Sequence, residues 1–306
     1  MAGAKFLLIR EIGAGLWNEL HHVLTQLLAA EILQRIPVVY WGKGSLYATN
    51  DGSDAFEKFF MPVSGYSVND LANSQFSFCP ERWNSGNILA VPGYPDNAAN
   101  ITMGHLEKSE ADVCVSDKYI EVDEIIPFVQ KGHWLFGLNK REVFYRLLKK
   151  YIRLKDGVRE YIDAFYSENM KGTPFLAVHI RSSDKIVEVK HLHELNELYP
   201  REIEKVLKAN PGMRIFLMTD CIDVLEEYTK KYGEILVYTD CRRVPKNGDG
   251  VHYQEYQDNW VKGFEIIRDA WLAARCDYFI GNGHSNVSLG ICELKNWEDD
   301  RVKLLY

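Results

Sequence analysis

The stretch Thr173–Lys185, TPFLAVHIRSSDK, carries an apolar run that ends in His179, Arg181, Asp184 and Lys185. Phe175 to Val178, bounded by Gly172-Thr173-Pro174, has the pattern of a strand buried in a parallel sheet. Open α/β sheets bind ligands just beyond the carboxyl ends of their strands. Arg181 at such a rim is a fixed cation with a planar donor fork, suited to a phosphate. The plainer alternative is an ion pair between Arg181 and Asp184 that only staples the loop. Two more strand ends carry polar residues, Thr219-Asp220 and Asn282-Gly283-His284-Ser285. Ser285 lies between a strand and a helix, where it would act as an N-cap, and the freed N–H groups of that helix start form a ready phosphate site. The alternative there is a cap and nothing more.

Glu188 follows Lys185 by three residues. A carboxylate beside a phosphate-binding cation is a candidate general base for an acceptor hydroxyl; a solvated loop charge is the competing reading. Asp269 sits in the helical stretch Gly263-Phe-Glu-Ile-Ile-Arg-Asp-Ala-Trp271. It could pair with Arg268 or Arg275 on the surface. It could instead face a cleft and accept the paired N1–H and N2–H of a guanine edge. Metal ligands are sparse: His191-x-His193 and His21-His22 lack a third ligand at a useful spacing. No Asp-x-Asp closes a strand to hold a nucleotide-bound cation. A metal-independent site, with its positive charge from arginine and helix dipoles, is expected, with no cofactor.

These residues need a scaffold. Lys5–Arg10 is a compact apolar run leading into Gly13-Ala14-Gly15. Asn18–Ile36 follows with Leu20, Val23, Leu24, Leu27, Leu28, Ile32 and Leu33 at helical spacing. Pro37 is read as its end and Val38–Trp41 as the next strand. Gly13-x-Gly15 lacks the third glycine of a dinucleotide fingerprint, but glycines at a strand–helix junction let backbone N–H groups approach an anion. A tight turn alone is the competing reading. Residues Gly42–Pro127 are rich in Gly, Asn, Ser, Pro and aromatics and read as irregular structure with short elements, the usual material of a substrate-facing surface. Lys140–Asn169 is helical and charged, and Lys171–Pro174 reads as a domain boundary.

Beyond it the pattern alternates. Strands are expected at Phe175–Ile180, Arg214–Met218, Ile235–Tyr238 and Tyr278–Gly281. Helices are expected at Pro200–Ala209, Ile222–Tyr232, Asp258–Arg275 and Ser285–Leu294. Strand–helix alternation predicts a parallel sheet covered on both faces. Two such sheets with a cleft between them make a two-domain, Rossmann-type α/β architecture.

At 306 residues the chain is long for one core, so two domains of about 150 residues are expected. A net charge of −7 argues against a protein that grips nucleic acid or an anionic membrane. No window reaches the ~20 apolar residues of a membrane span. The apolar core of the amino terminus is too short for a signal peptide. The 6 cysteines show no metal-ligand spacing and read as free thiols in a reducing compartment.

Taken together the motifs resemble the α1,6-fucosyltransferases of glycosyltransferase family 23, with the Nod-factor fucosyltransferases. Gly13-x-Gly15 followed by Leu20-His21-His22-Val23 is similar to the family's loop–helix signature. Tyr47-Ala48-Thr49, Phe56-Glu57 and Pro62-Val63-Ser64 continue the likeness. His179-Ile-Arg181-Ser-Ser-Asp184-Lys185 resembles the family's His-Val-Arg-Arg-Thr-Asp-Lys, and Thr219-Asp220 its Thr-Asp-Asp. The run from Gly263 through Asp269 and Asp277 to Ser285 agrees in spacing and type. The likeness runs from Ile9 to about Leu289.

The resemblance implies a GT-B fold: a donor domain at 171–306 facing an acceptor-side domain at 1–170. It implies transfer of L-fucose from GDP-β-L-fucose, with inversion and without a metal, to a glycan acceptor. By position His179, Asp269 and Tyr47 would contact the guanine, and Ile266 would pack on it. Arg181 and Ser285 would hold the diphosphate, with the Gly13/Gly15 loop nearby, and Asn18, His21 and Asn286 would also lie at the donor nucleotide. Lys185 would lie beside the leaving group, and Arg181, Asp184, Lys185, Glu188 and Asp220 would make up the catalytic group. Three positions depart from the family. Ser182 replaces its second arginine, Cys221 its second aspartate after Thr, and Val189 aligns with its catalytic glutamate. A different nucleotide-sugar donor, or a homologue that binds nucleotide sugar or glycan without turnover, is the alternative. The animal enzymes' appended domains and membrane anchor find no counterpart, which implies a cytoplasmic enzyme of bacterial or viral type, or a trimmed chain.

Overall fold

The computed structural model describes residues 3–91, 102–183, 189–246 and 248–306. Asp184, Lys185 and Glu188 lie outside the described residues. The chain divides into two compact units, Met1–Lys155 with Gln257–Gly263 and Asp156–Tyr256 with Phe264–Tyr306.

The first unit is built on β1 (Phe6–Arg10), β2 (Ile36–Tyr40), β3 (Phe78–Cys79) and β4 (Val113–Ser116), in the order β2-β1-β4-β3. Every pairing is parallel. β1 is buried throughout. Phe6 and Leu8 join Val38, Val113 and Val115 in one core, while the alternation of a strand turns Leu7 and Ile9 to the opposite face. Helix α1 (Leu16–Ile32) buries Leu20, Val23, Leu24, Leu27 and Leu28 at the predicted spacing. It stops short of Ile36: Leu33 caps it and Gln34 turns at φ 53. Pro37 therefore lies inside β2, paired with Leu7, rather than ending the helix. β2 is an edge strand, where proline's missing N–H need not break a ladder. Helix α2 (Lys140–Tyr151) starts with a capping box between Asn139 and Glu142.

The second unit carries β5 (Phe175–Ile180), β6 (Arg214–Thr219), β7 (Leu236–Val237), β8 (Tyr278–Asn282) and β9 (Val302–Leu305). Their order is β7-β6-β5-β8-β9, again all parallel. Helices α3 (Asp156–Asn169), α4 (Tyr199–Ala209), α5 (Ile222–Tyr232), α6 (Trp260–Ala273) and α7 (Asn286–Leu294) connect or flank them. The unit takes in α3, upstream of the boundary read at Lys171–Pro174. An edge-on contact of Tyr161 with Phe264 at 5.1 Å and an ion pair of Asp163 with Arg275 fasten α3 there. Leu176, Val178, Ile180, Tyr199, Ile203, Ile215, Leu217 and Ile280 form the core of one sheet face.

From β5 the chain adds β6 and β7 on one side, then crosses to add β8 and β9 on the other. The reversal lies between β5 and β8, where His179 pairs with Gly281. A crevice opens at such a switch point, outside the carboxyl ends of the strands. That is where Arg181 and the Asn282–Ser285 turn emerge. Among the described residues no helix is long and apolar enough to cross a membrane.

Candidate functional site

Arg181 and Asp220 follow directly on the paired residues Ile180 and Thr219. Parallel register therefore places them side by side at the rim. The Arg181 guanidinium donates to Asp220 Oδ2, the Ser182 amide donates to Oδ1 at 3.0 Å, and the Ser183 hydroxyl donates to Oδ2. Side-chain exposure of 17% for Arg181 and 10% for Asp220 leaves the pair partly shielded from water. Arg181 thus has Asp220 on the neighbouring strand as its anchor. Asp220, expected among the catalytic residues, accepts from the arginine and from the turn after it.

His179 lies one residue back from the end of β5 and is buried. Its Nδ1 shares a 2.7 Å hydrogen bond with Ser288 Oγ on α7, and its carbonyl accepts the Tyr199 hydroxyl at 2.7 Å. Burial, reinforced by the Arg181 charge, pushes its pKa down to about 3. The ring is therefore neutral near physiological pH, a fixed hydrogen-bonding group rather than a cation. Gly281 makes this contact possible, since a Cβ there would stand 2.7 Å from Ser288 Oγ.

Ser285 occupies the N-cap position of α7, but its hydroxyl makes no capping bond. The helix start is thus not closed by its own cap. Asn282 Oδ1 accepts the His284 amide at 2.8 Å and shapes the turn. Asn286 begins the helix, half-buried beside Ser285.

Asp269, read as either a surface ion pair or a base contact, lies on α6 at the carboxyl end of β7. Its Oδ1 accepts the Thr239 hydroxyl at 2.7 Å and Arg268 Nε at 2.9 Å. Arg268 is buried, and so is Thr239. Ile266, on the same helix, is half-buried. Neither Thr239 nor Ser288 was singled out in the sequence, since a threonine after a short strand and a serine within a helix carry no pattern.

In the first unit Gly13 adopts φ 71, the left-handed turn glycine favours, and Gly15 precedes α1. The Ile12 and Ala14 amides of this loop donate to the buried Glu19 carboxylate, each at 3.0 Å. The anion they meet is the chain's own. Burial is the larger influence and pushes the Glu19 carboxyl up to about 7. Asn18 is half-buried. His21 is buried with its ring stacked on Phe144 at 4.9 Å, and Tyr47 is fully buried. Among the described residues, no group of three or more His, Cys, Asp or Glu is placed to hold a metal ion.

Residues 140–296, just over half of the chain, match the family described as alpha-(1,6)-fucosyltransferase N- and catalytic domains. The chain belongs to that family. It is a glycosyltransferase. A crystal structure of NodZ alpha-1,6-fucosyltransferase soaked with GDP-fucose is similar at a TM-score of 0.63 and 21% identity, over 95% of this chain and 93% of that one. NodZ from Bradyrhizobium is similar at 0.61 and 20%, over 94% and 92%. POFUT1 in complex with GDP is similar at 0.59 and 15%, over 99% of each. At these identities the likeness shows the fold, and it is the α/β GT-B fold of these fucosyltransferases. No curated protein matches the sequence.

Proposed function

We propose that the protein is an inverting, metal-independent fucosyltransferase that moves L-fucose from GDP-β-L-fucose to a hydroxyl of a glycan. The observation that carries this is Arg181, held by Asp220 at the switch point, with the uncapped start of α7 leaving the adjacent strand. An acceptor oxygen attacks the anomeric carbon from the face opposite the leaving group. The bond from that carbon to the β-phosphate oxygen breaks, and GDP departs with the electron pair. The acceptor's proton passes to a base. Negative charge grows on the β-phosphate as the bond lengthens, and donors already aimed there stabilise it most in the transition state. Arg181 and the N–H groups following Ser285 are those donors, and with them no cation is required. Asp269 and His179 would meet the guanine. NodZ was crystallised with GDP and soaked with GDP-fucose, which supports the same donor here. The net charge of −7 supports a partner other than nucleic acid. The 6 cysteines, none in a disulfide, support a reducing, cytoplasmic site of action.

The test is transfer from labelled GDP-fucose to a mixed glycan acceptor pool in excess EDTA, with the anomeric configuration of the product read by NMR. Transfer with an α-linked product is expected. Loss with EDTA, restored by Mn²⁺ or Mg²⁺, would point to a different class of transferase.

Ser182 and Val189, at the family's second arginine and glutamate, favour a second reading: another donor sugar, or binding without turnover. Melting points with GDP, UDP, ADP and their sugars separate these readings, because a ligand that binds only the native state raises them. A shift with GDP-fucose but no product would favour binding without turnover.

A further inference from the structure

We infer that the base-contacting carboxylate works through one oxygen only, and that Thr239 and Arg268 are the positioning residues that impose this. The inference rests on the reading that Asp269 meets the purine of the donor. Thr239, Arg268 and Asp269 form a closed ring of hydrogen bonds. Arg268 donates through Nη2 to the Thr239 hydroxyl and through Nε, at 2.9 Å, to Asp269 Oδ1. Its Nη1 donates to the Asp240 carbonyl at 2.9 Å, so the guanidinium is pinned along one edge. Having accepted from Arg268, the Thr239 hydroxyl is oriented to donate, and it does so to the same Asp269 Oδ1 at 2.7 Å. With Thr239 1% and Arg268 3% exposed, water does not compete for these bonds.

A carboxylate oxygen accepts about two hydrogen bonds. Oδ1 has both. Among the described residues Oδ2 accepts no hydrogen bond, which makes it the oxygen left to meet a ligand. Guanine presents N1–H and N2–H side by side, and two free oxygens would pair with both. One oxygen satisfies N1–H and adds little for the exocyclic amine. Adenine would instead turn its N1 acceptor toward a negative oxygen. The site should therefore select 6-oxopurines as a class rather than guanine specifically.

The test is calorimetric binding of GDP, IDP and ADP to the wild-type chain. IDP lacks the N2 amine and keeps N1–H. GDP and IDP are expected to bind within ~3-fold of each other, with ADP weaker by ~30-fold or more, the scale of a lost charge-assisted bond. Thr239→Val empties one position on Oδ1 and should widen the GDP-over-IDP preference to ~10-fold. Thr239→Ser, which keeps the hydroxyl, should restore the wild-type ratio. A wild-type preference for GDP over IDP of ~10-fold or more would overturn the inference, whether or not Thr239→Val folds. If Asp269→Asn leaves all three affinities unchanged, Asp269 is no base contact at all, and the underlying reading fails with it.

Discussion

Arg181 and Asp220 stand side by side at the ends of the neighbouring parallel strands β5 and β6, and the carboxylate of one holds the guanidinium of the other. A guanidinium carries five N–H donors, and the Asp220 contact engages Nη1. The pair thereby fixes the arginine's direction. Holding a donor in place in advance is what makes it effective against charge that develops during reaction.

Asp220→Asn should expose that dependence. The amide oxygen can still accept the Ser182 N–H, so the turn keeps one anchor. The guanidinium loses its charge partner and its fixed direction. We expect kcat with GDP-fucose to fall by ~10–100-fold while the melting temperature changes little, because the residue lies at the rim. Steady-state kinetics of the folded variant checks this, and an unchanged kcat would remove Asp220 from the account.

Glu19 makes a prediction about pH. Its carboxyl is raised from 4.5 to about 7, burial being the main cause. Between those two values the folded state binds more protons than the unfolded one. Stability contributed by this group is thus complete below about 4.5 and is lost as pH rises toward about 7. Glu19→Gln should flatten the slope of unfolding free energy in that window by up to ~1.4 kcal/mol per pH unit. Asp54, raised from 3.8 to about 7 by burial, acts with the same sign, so part of the slope should remain. Urea unfolding of both proteins at several pH values is the measurement, and identical slopes would contradict the assignment.

Gly281→Ala should strain the packing of β8 in the second unit's sheet. The new Cβ would stand 2.5 Å from the Phe279 ring and 2.7 Å from Ser288 Oγ. Overpacking of this kind costs ~1–3 kcal/mol. The hydroxyl that must shift is the one that holds His179 Nδ1. Denaturant midpoints should fall, and GDP affinity should fall with them. A variant with wild-type stability and wild-type affinity would show that the packing there is loose.

Much of the fold was legible because it rests on periodicity. The helical face of α1 and the apolar runs of β1, β5, β6 and β8 are long enough to register in the sequence. β3 has two residues and β4 and β9 four, which leaves no period to detect, whereas β7, also of two residues, could be read at Ile235–Tyr238 from the alternation of elements around it. Pro37 misled because a proline reads as a helix stop, whereas an edge strand accepts it. Arg181 and Ser285 could be read from their places after strands. Asp220 could be read from its place too, though not as the partner of Arg181, and Thr239 and Ser288 could not be read at all: all three meet their targets through parallel register and helix packing, over long separations in sequence. Glu19 was hidden for the same reason, as a charge inside an apolar helix whose use appears only when the loop folds back on it.

Arg181 is proposed to stabilise the charge leaving with GDP. Lysine keeps the charge but offers a point donor in place of the planar fork. The deciding measurement is kcat and donor KM of Arg181→Lys with GDP-fucose, alongside circular dichroism of the same sample. We predict that kcat falls by ~10²–10³, that KM moves less, and that the fold and melting temperature stay near wild type. A variant that unfolds, while its folded fraction retains wild-type specific activity, would show that Arg181 only staples the end of β5 and would contradict the account.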